Sequence, residues 1–185
     1  MADSALLLMD FQNSIVERLG SPGVLTAARR AADAARAAGM PVLFVRVAFR
    51  DGYPEVSPVN RTFAAFRDRG DAGTEQHEQA QIHAALGRRD EEPVVTKRRV
   101  SAFSGGDLDV LLRAAGLRHL VLAGIATSGV VLSTLRQAAD LDFGLTVLAD
   151  ACADADAEVH RVLTEKVFPR QADVTTVEAW SATLR

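Results

Sequence analysis

Apolar runs and helix-patterned stretches follow one another along the whole chain, and that alternation restricts the fold more than any other feature. A run such as ALLLM has no polar face to turn to solvent, so as a strand it must be covered on both sides. The runs of this kind are Ala5 to Met9, Val42 to Ala48, Val94 to Thr96, Leu120 to Ala123, Leu145 to Ala149 and Val174 to Val177. Helical patterns fall between them. Thr26 to Gly39 ends on a glycine and is followed by Pro41, which opens the next strand. GDLDVLLRAAG repeats the device, with Asp107 as N-cap and Gly116 as terminator. Further helices are expected over Val130 to Asp140 and Ala157 to Val167, and the polar stretch EQHEQAQIHAALG reads as another, carrying His77 and His83. Strands and helices that alternate in this way predict an α/β fold: a three-layer α-β-α sandwich around a six-stranded, mostly parallel, Rossmann-like sheet.

Length and charge limit the alternatives. A chain of 185 residues suits one core better than two, so a single domain over 1–185 is expected. A net charge of −3, with Lys and Arg scattered rather than clustered, gives no reason to expect nucleic acid or an anionic membrane as partner. No apolar run approaches the roughly 18 residues needed to cross a bilayer, and no signal core follows a basic N-terminus. A cytoplasmic protein with a small-molecule substrate is the expectation. The one cysteine, Cys152, excludes an intramolecular disulfide; placed after the fifth strand, it reads as a small buried hydrophobe.

Chemistry is expected where the strands end. Asp10 closes a very apolar strand, so its charge needs a cation or several N–H groups facing it, and Lys97, which closes another, is the natural partner. In open α/β sheets the ligand crevice lies at such carboxyl ends. The segment HLVLAGIATSGVVLSTLRQAAD, from His119 to Asp140, reads as a buried strand, a tight turn and a helix beginning near Val130. Backbone N–H groups gathered at such a turn suit an oxyanion. From Arg50 to about Thr74 the chain has no clean period, but carries Pro54 and Pro58 with Arg50, Arg61, Arg67 and Arg69. It reads as an excursion over the carboxyl edge of the sheet, a lid or a plain surface loop.

These segments resemble the isochorismatase-like hydrolases, the cysteine hydrolase superfamily of nicotinamidases, N-carbamoylsarcosine amidases and isochorismatases. ALLLMDFQN is similar to the family's opening strand with its catalytic aspartate, at Asp10. EPVVTKRRVSAFSGGDLDVLL is similar to its third strand with the catalytic lysine, at Lys97. GIATSGV is similar to the turn before the nucleophile, and LTVLADACADADAEVH to the fifth strand and its exit. The resemblance runs from Ala5 to about Val177. It implies a non-proline cis peptide at Ile125-Ala126, oxyanion donors at Ala126 and Val130, a pocket that also takes in Ser128 and Gly129, and a homodimer or homotetramer. It places Val130 where the family's thiol enzymes carry their cysteine. Valine cannot attack a carbonyl. Ser128 and Ser133 are displaced from that point, and Ser128 reads as an N-cap or a substrate contact. Phe11, Arg50, Arg61 and Arg98 are further candidate substrate contacts.

The nicotinamidase branch holds a metal with an Asp-x-His-His arrangement, but the matching stretch, VRVAFRDGYPEV, has no histidine; neither metal nor cofactor is expected. The resemblance therefore implies a hydrolase that works without a thiol. Isochorismatases protonate a vinyl ether with an aspartic acid and let water attack the cation, so Asp10 becomes the acid and Lys97 its charge partner. The alternative is a silent homologue that binds a ligand or protein partner.

Overall fold

The computed structural model describes residues 3–19 and 22–184. Six strands form one sheet in the order β3-β2-β1-β4-β5-β6: β1 (Ser4–Met9), β2 (Val42–Val47), β3 (Val94–Lys97), β4 (His119–Ile125), β5 (Gly144–Ala153) and β6 (Asp173–Thr175). Every pairing between them is parallel. The chain builds outward from β1 to β3, then returns to the middle and builds outward again from β4 to β6. The switch point thus lies between β1 and β4, whose carboxyl ends open a crevice.

Strand alternation divides the core into two layers. Ala5, Leu7 and Met9 face a cluster with Leu108 and Leu112 of α4 (Leu108–Ala114) and Leu135 of α5 (Leu132–Asp140). Leu6 and Leu8 face the opposite cluster, formed with α1 (Asn13–Leu19), α2 (Pro22–Ala37) and α7 (Val177–Ala182). On α2 the buried side chains are Val24 and five alanines, small enough to let the helix lie close on the sheet. Among the described residues, no helix is long and apolar enough to cross a membrane.

Several element boundaries differ from expectation for local reasons. Helix α2 begins at Pro22, earlier than Thr26, because proline is well suited to a first helical turn; it ends before Gly39, which has φ +68°. Asp107 holds the N-cap position of α4 but makes no capping hydrogen bond. The expected polar helix around His77 and His83 is instead a pair of single 3₁₀ turns, Glu78–Ala80 and Ala84–Leu86. Each histidine uses Nδ1 to accept the N–H two residues on, Gln79 at 3.1 Å and Ala85 at 3.2 Å, which starts a new turn instead of continuing a helix. Helix α6 (Ala157–Val162), capped by Asp156, loosens into a π turn over Leu163–Val167. The last strand stops at Thr175, because Thr176 accepts from Ala179 N–H and caps α7. Strand β5 is longer than expected and includes Cys152 within it.

The excursion after β2 is built rather than loose. Asn60 caps α3 (Arg61–Ala64), accepting from Thr62 and Phe63 N–H. Tyr53, Val56 and Phe63 form a third apolar cluster with Val47 and Phe49. Phe49 meets Phe63 and Phe66 edge-on, with ring centroids 5.6 and 5.3 Å apart. This cluster roofs the carboxyl edge of the sheet.

Candidate active site

Three strand ends meet under that roof. Asp10, directly after β1, has φ +60°, is 5% exposed and donates its own N–H to Val45 O at 2.8 Å. Lys97 closes β3 opposite Val47 and is 2% exposed. Its Nζ lies 2.9 Å from Asp10 Oδ2 and donates to Arg99 O at 3.1 Å. Asp10 Oδ1 is buried and has no hydrogen-bond partner among the described residues. Burial raises the Asp10 pKa above the ordinary carboxylate value, and the neighbouring Lys97 ammonium only partly opposes it. The pair is therefore an acid biased toward holding its proton, tethered by one oxygen and free at the other.

The turn after β4 supplies the facing wall. Gly124 is required there: a Cβ on it would lie 2.8 Å from Met9 O and 3.0 Å from Met9 Cβ, so only glycine lets β1 and β4 approach at the switch point. The Ile125-Ala126 peptide is cis. A π turn over Thr127–Val131 then runs into α5, with Gly129 and Val131 N–H both directed at Ala126 O, at 3.1 and 3.3 Å.

A cleft of about 300 Å3 opens between these parts. Asp10 and Lys97 line one side, and Ile125, Ala126, Gly129 and Val130 the other. Phe63 and Phe66 come from the roof, while Ile15, Arg18 and Leu19 come from α1. Val130 is 2% exposed and presents an apolar side chain to the cleft. Cys152 stands elsewhere, inside β5 and paired with Gly124; burial pushes its thiol up to about 12, which leaves almost no thiolate at neutral pH.

The other sequence-predicted contacts lie outside this cleft. Ser128 is exposed, makes no side-chain cap on the turn, and its N–H is taken by Asp154 Oδ2 at 2.7 Å. Phe11 is fully buried in the core with α1 and α2. Arg50 reaches Glu55 at 2.5 Å, Arg61 is exposed on α3, and Arg98 is held by Ala48 O, Glu75 and Glu55. Arg50 and Arg98 thus tie the roof to the sheet edge through Glu55 and Glu75.

Several contributors carried no sequence signal. Gln12 accepts Val47 N–H at 2.8 Å and donates to Val47 O and Ala80 O at 2.9 and 2.8 Å, which ties three segments together beside the cleft. His160 Nδ1 lies 2.8 Å from Thr127 Oγ1, a pairing with the look of a base and a nucleophile. Thr127 is fully buried and does not line the cleft, so this pair braces the turn. Among the described residues, no three His, Cys, Asp or Glu side chains form a metal-ligand group.

A doubly wound parallel sheet with a buried acid-lysine pair beneath a strand-to-helix turn at its switch point defines the class of fold and site. Comparison with known proteins gives the family: the Isochorismatase domain model matches residues 4–179, and the chain belongs to the isochorismatase family. It is similar to YecD of Escherichia coli O157:H7, an uncharacterized isochorismatase family protein, with 36% identity over 95% of this chain and 93% of that one. It is 33% identical to the ureidoacrylate amidohydrolase RutB of Stutzerimonas stutzeri strain A1501, over 97% of this chain and 77% of that one. The solved structure of an isochorismatase family protein from Burkholderia thailandensis has a TM-score of 0.87 to it at 30% identity, covering 100% of this chain and 96% of that one.

Proposed function

We propose that this member of the family is a thiol-independent hydrolase of a small molecule, with Val130 at the position where thiol relatives carry their nucleophile. The observation that carries the reading is the Asp10 carboxyl: Oδ2 fixed to Lys97 at 2.9 Å, Oδ1 buried without a partner, and both at the wall of a cleft that holds no cysteine. Asp10 in its protonated form gives the Oδ1 proton to the substrate, for a vinyl ether at the double-bond carbon. Water adds to the resulting cation and returns a proton to Asp10, and the adduct separates into a carbonyl compound and an alcohol. Lys97 stabilises the carboxylate formed between the two transfers. Ala126 and Val130 N–H groups serve as donors to an oxygen that gains charge. The ureidoacrylate amidohydrolase relative adds amide-type bonds to those worth testing.

Hydrolysis of a panel of small vinyl ethers and amides by wild type and Asp10→Asn tests the reading. Loss of a general acid should lower the rate by about 10² or more. Equal rates in the two proteins would mean that Asp10 does no chemistry and that the cleft only binds.

A further inference from the structure

Behind Phe66 lies a second, smaller space of about 100 Å3 that shares Ile15, Arg18, Val47 and Phe66 with the cleft. Gly73 keeps its wall tight. The Gly73 N–H donates to Tyr53 Oη at 3.0 Å, and a Cβ there would press on Phe66 at 2.8 Å.

Two polar groups on this wall lack what their neighbours have. Arg18 is exposed, lines the space and, among the described residues, forms no ion pair, so its guanidinium is not engaged elsewhere, unlike that of Arg98, which is bound to glutamate. Gln79 Oε1 is buried and accepts no hydrogen bond, whereas the Gln12 amide on the same wall is used at both ends. A buried acceptor without a donor is destabilising, and such a group in a cavity wall calls for a ligand or water. Charge points the same way. Lys97 is committed to Asp10, whereas Arg18, exposed on α1 and lining both spaces, is open to an incoming anion.

We propose that the inner space is the recognition pocket for a small carboxylic acid that carries an O–H or N–H donor beside its carboxylate. Arg18 takes the carboxylate, Gln79 Oε1 accepts the donor, and the rest of the molecule lies in the cleft toward Asp10. Size allows this assignment: at about 100 Å3 the space is larger than a single water requires and admits a carboxylate. The assignment rests on the cleft being a substrate site, as proposed above.

Mandelate supplies the carboxylate, the hydroxyl and a ring suited to Phe63 and Phe66. Mandelamide lacks the charge, and 2-methoxy-2-phenylacetate lacks the donor. Calorimetric or NMR titration should find mandelate binding at least about tenfold more tightly than either, a difference of about 1.4 kcal/mol. Arg18→Gln should abolish the preference over mandelamide, and Gln79→Leu the preference over the methyl ether, each leaving the other preference in place. Arg18→Lys, which keeps the charge, should restore part of the first. Thermal melts confirm that the variants are folded. Equal binding of the three probes to wild type, no binding of mandelate, or a uniform loss in Arg18→Gln overturns the proposal. Titration needs no turnover, so the two readings fail separately: absent preferences with Asp10-dependent hydrolysis remove only the recognition pocket. Intact preferences with no effect of Asp10→Asn remove only the hydrolase.

Discussion

Lys97→Met is expected to cost about 3 kcal/mol of stability at pH 7, in the range found when one partner of a buried ion pair is removed. Lys97 is 2% exposed and its Nζ lies 2.9 Å from Asp10; methionine fills most of the same volume, so the loss is electrostatic. An upper bound follows from Asp10 itself. A carboxylate left without its cation takes up a proton, and protonating it at pH 7 from an unfolded pKa near 3.9 costs about 1.4 kcal/mol per unit, about 4 kcal/mol in all. At pH 5 the same bound falls to about 1.5 kcal/mol. Urea unfolding of wild type and variant at both pH values checks this, and a loss that does not shrink at pH 5 would show that packing, not charge, is at stake. Removing both charges in Asp10→Leu with Lys97→Met should recover most of the stability lost, because an apolar pair of similar volume carries no desolvation penalty.

Val130→Cys is expected to create a reactive thiol and, with it, amidase or esterase activity. Val130 lines the cleft with Asp10, Lys97 and Ala126, near the end of the turn that leads into α5. A thiol there stands near an ammonium and the start of a helix, both of which favour thiolate. Trimming valine to cysteine in a packed wall costs about 1 kcal/mol, small beside the gain of a covalent route. Iodoacetamide should label the variant far faster than wild type, whose Cys152 is buried with its thiol pushed up to about 12. Mass spectrometry after brief labelling, followed by an ester hydrolysis assay, checks both parts. Rapid labelling without turnover would mean that the Ala126 and Val130 N–H groups are not placed to hold an oxyanion.

Much of this arrangement was legible in the chain because it is written in local pattern. Apolar runs mark all six strands, and the ends of β1 and β3 point to Asp10 and Lys97. Two short helices were not legible: α1 and α7 have 7 and 6 residues, too few turns for a clear helical period, whereas α4, equally short, is marked by Gly116 as terminator. That omission mattered, because α1 brings Arg18 to the cleft. Arg50, Arg61 and Arg98 attracted attention by lying in or near a loop over the site, but which arginine is free depends on Glu55 and Glu75, and that pairing is tertiary. Phe63 and Phe66 likewise reach the cleft through a cluster around Phe49, formed by residues far apart in sequence. Ser128 lies exposed in a π turn, a local geometry that one-dimensional spacing does not reveal.

Asp10 keeps its proton to higher pH than the ordinary carboxylate value of 3.8, burial outweighing Lys97. As general acid it is active in that protonated form, so activity is complete at low pH and falls as pH rises through the raised pKa. The dependence of kcat/KM on pH, which reports the free enzyme, should be measured on the hydrolysed substrate for wild type and Cys152→Ala. The two profiles should coincide, each declining above a single pKa higher than 3.8. A rate that instead climbs toward alkaline pH, or that disappears in Cys152→Ala, would contradict an Asp10 acid and return the chemistry to a thiol.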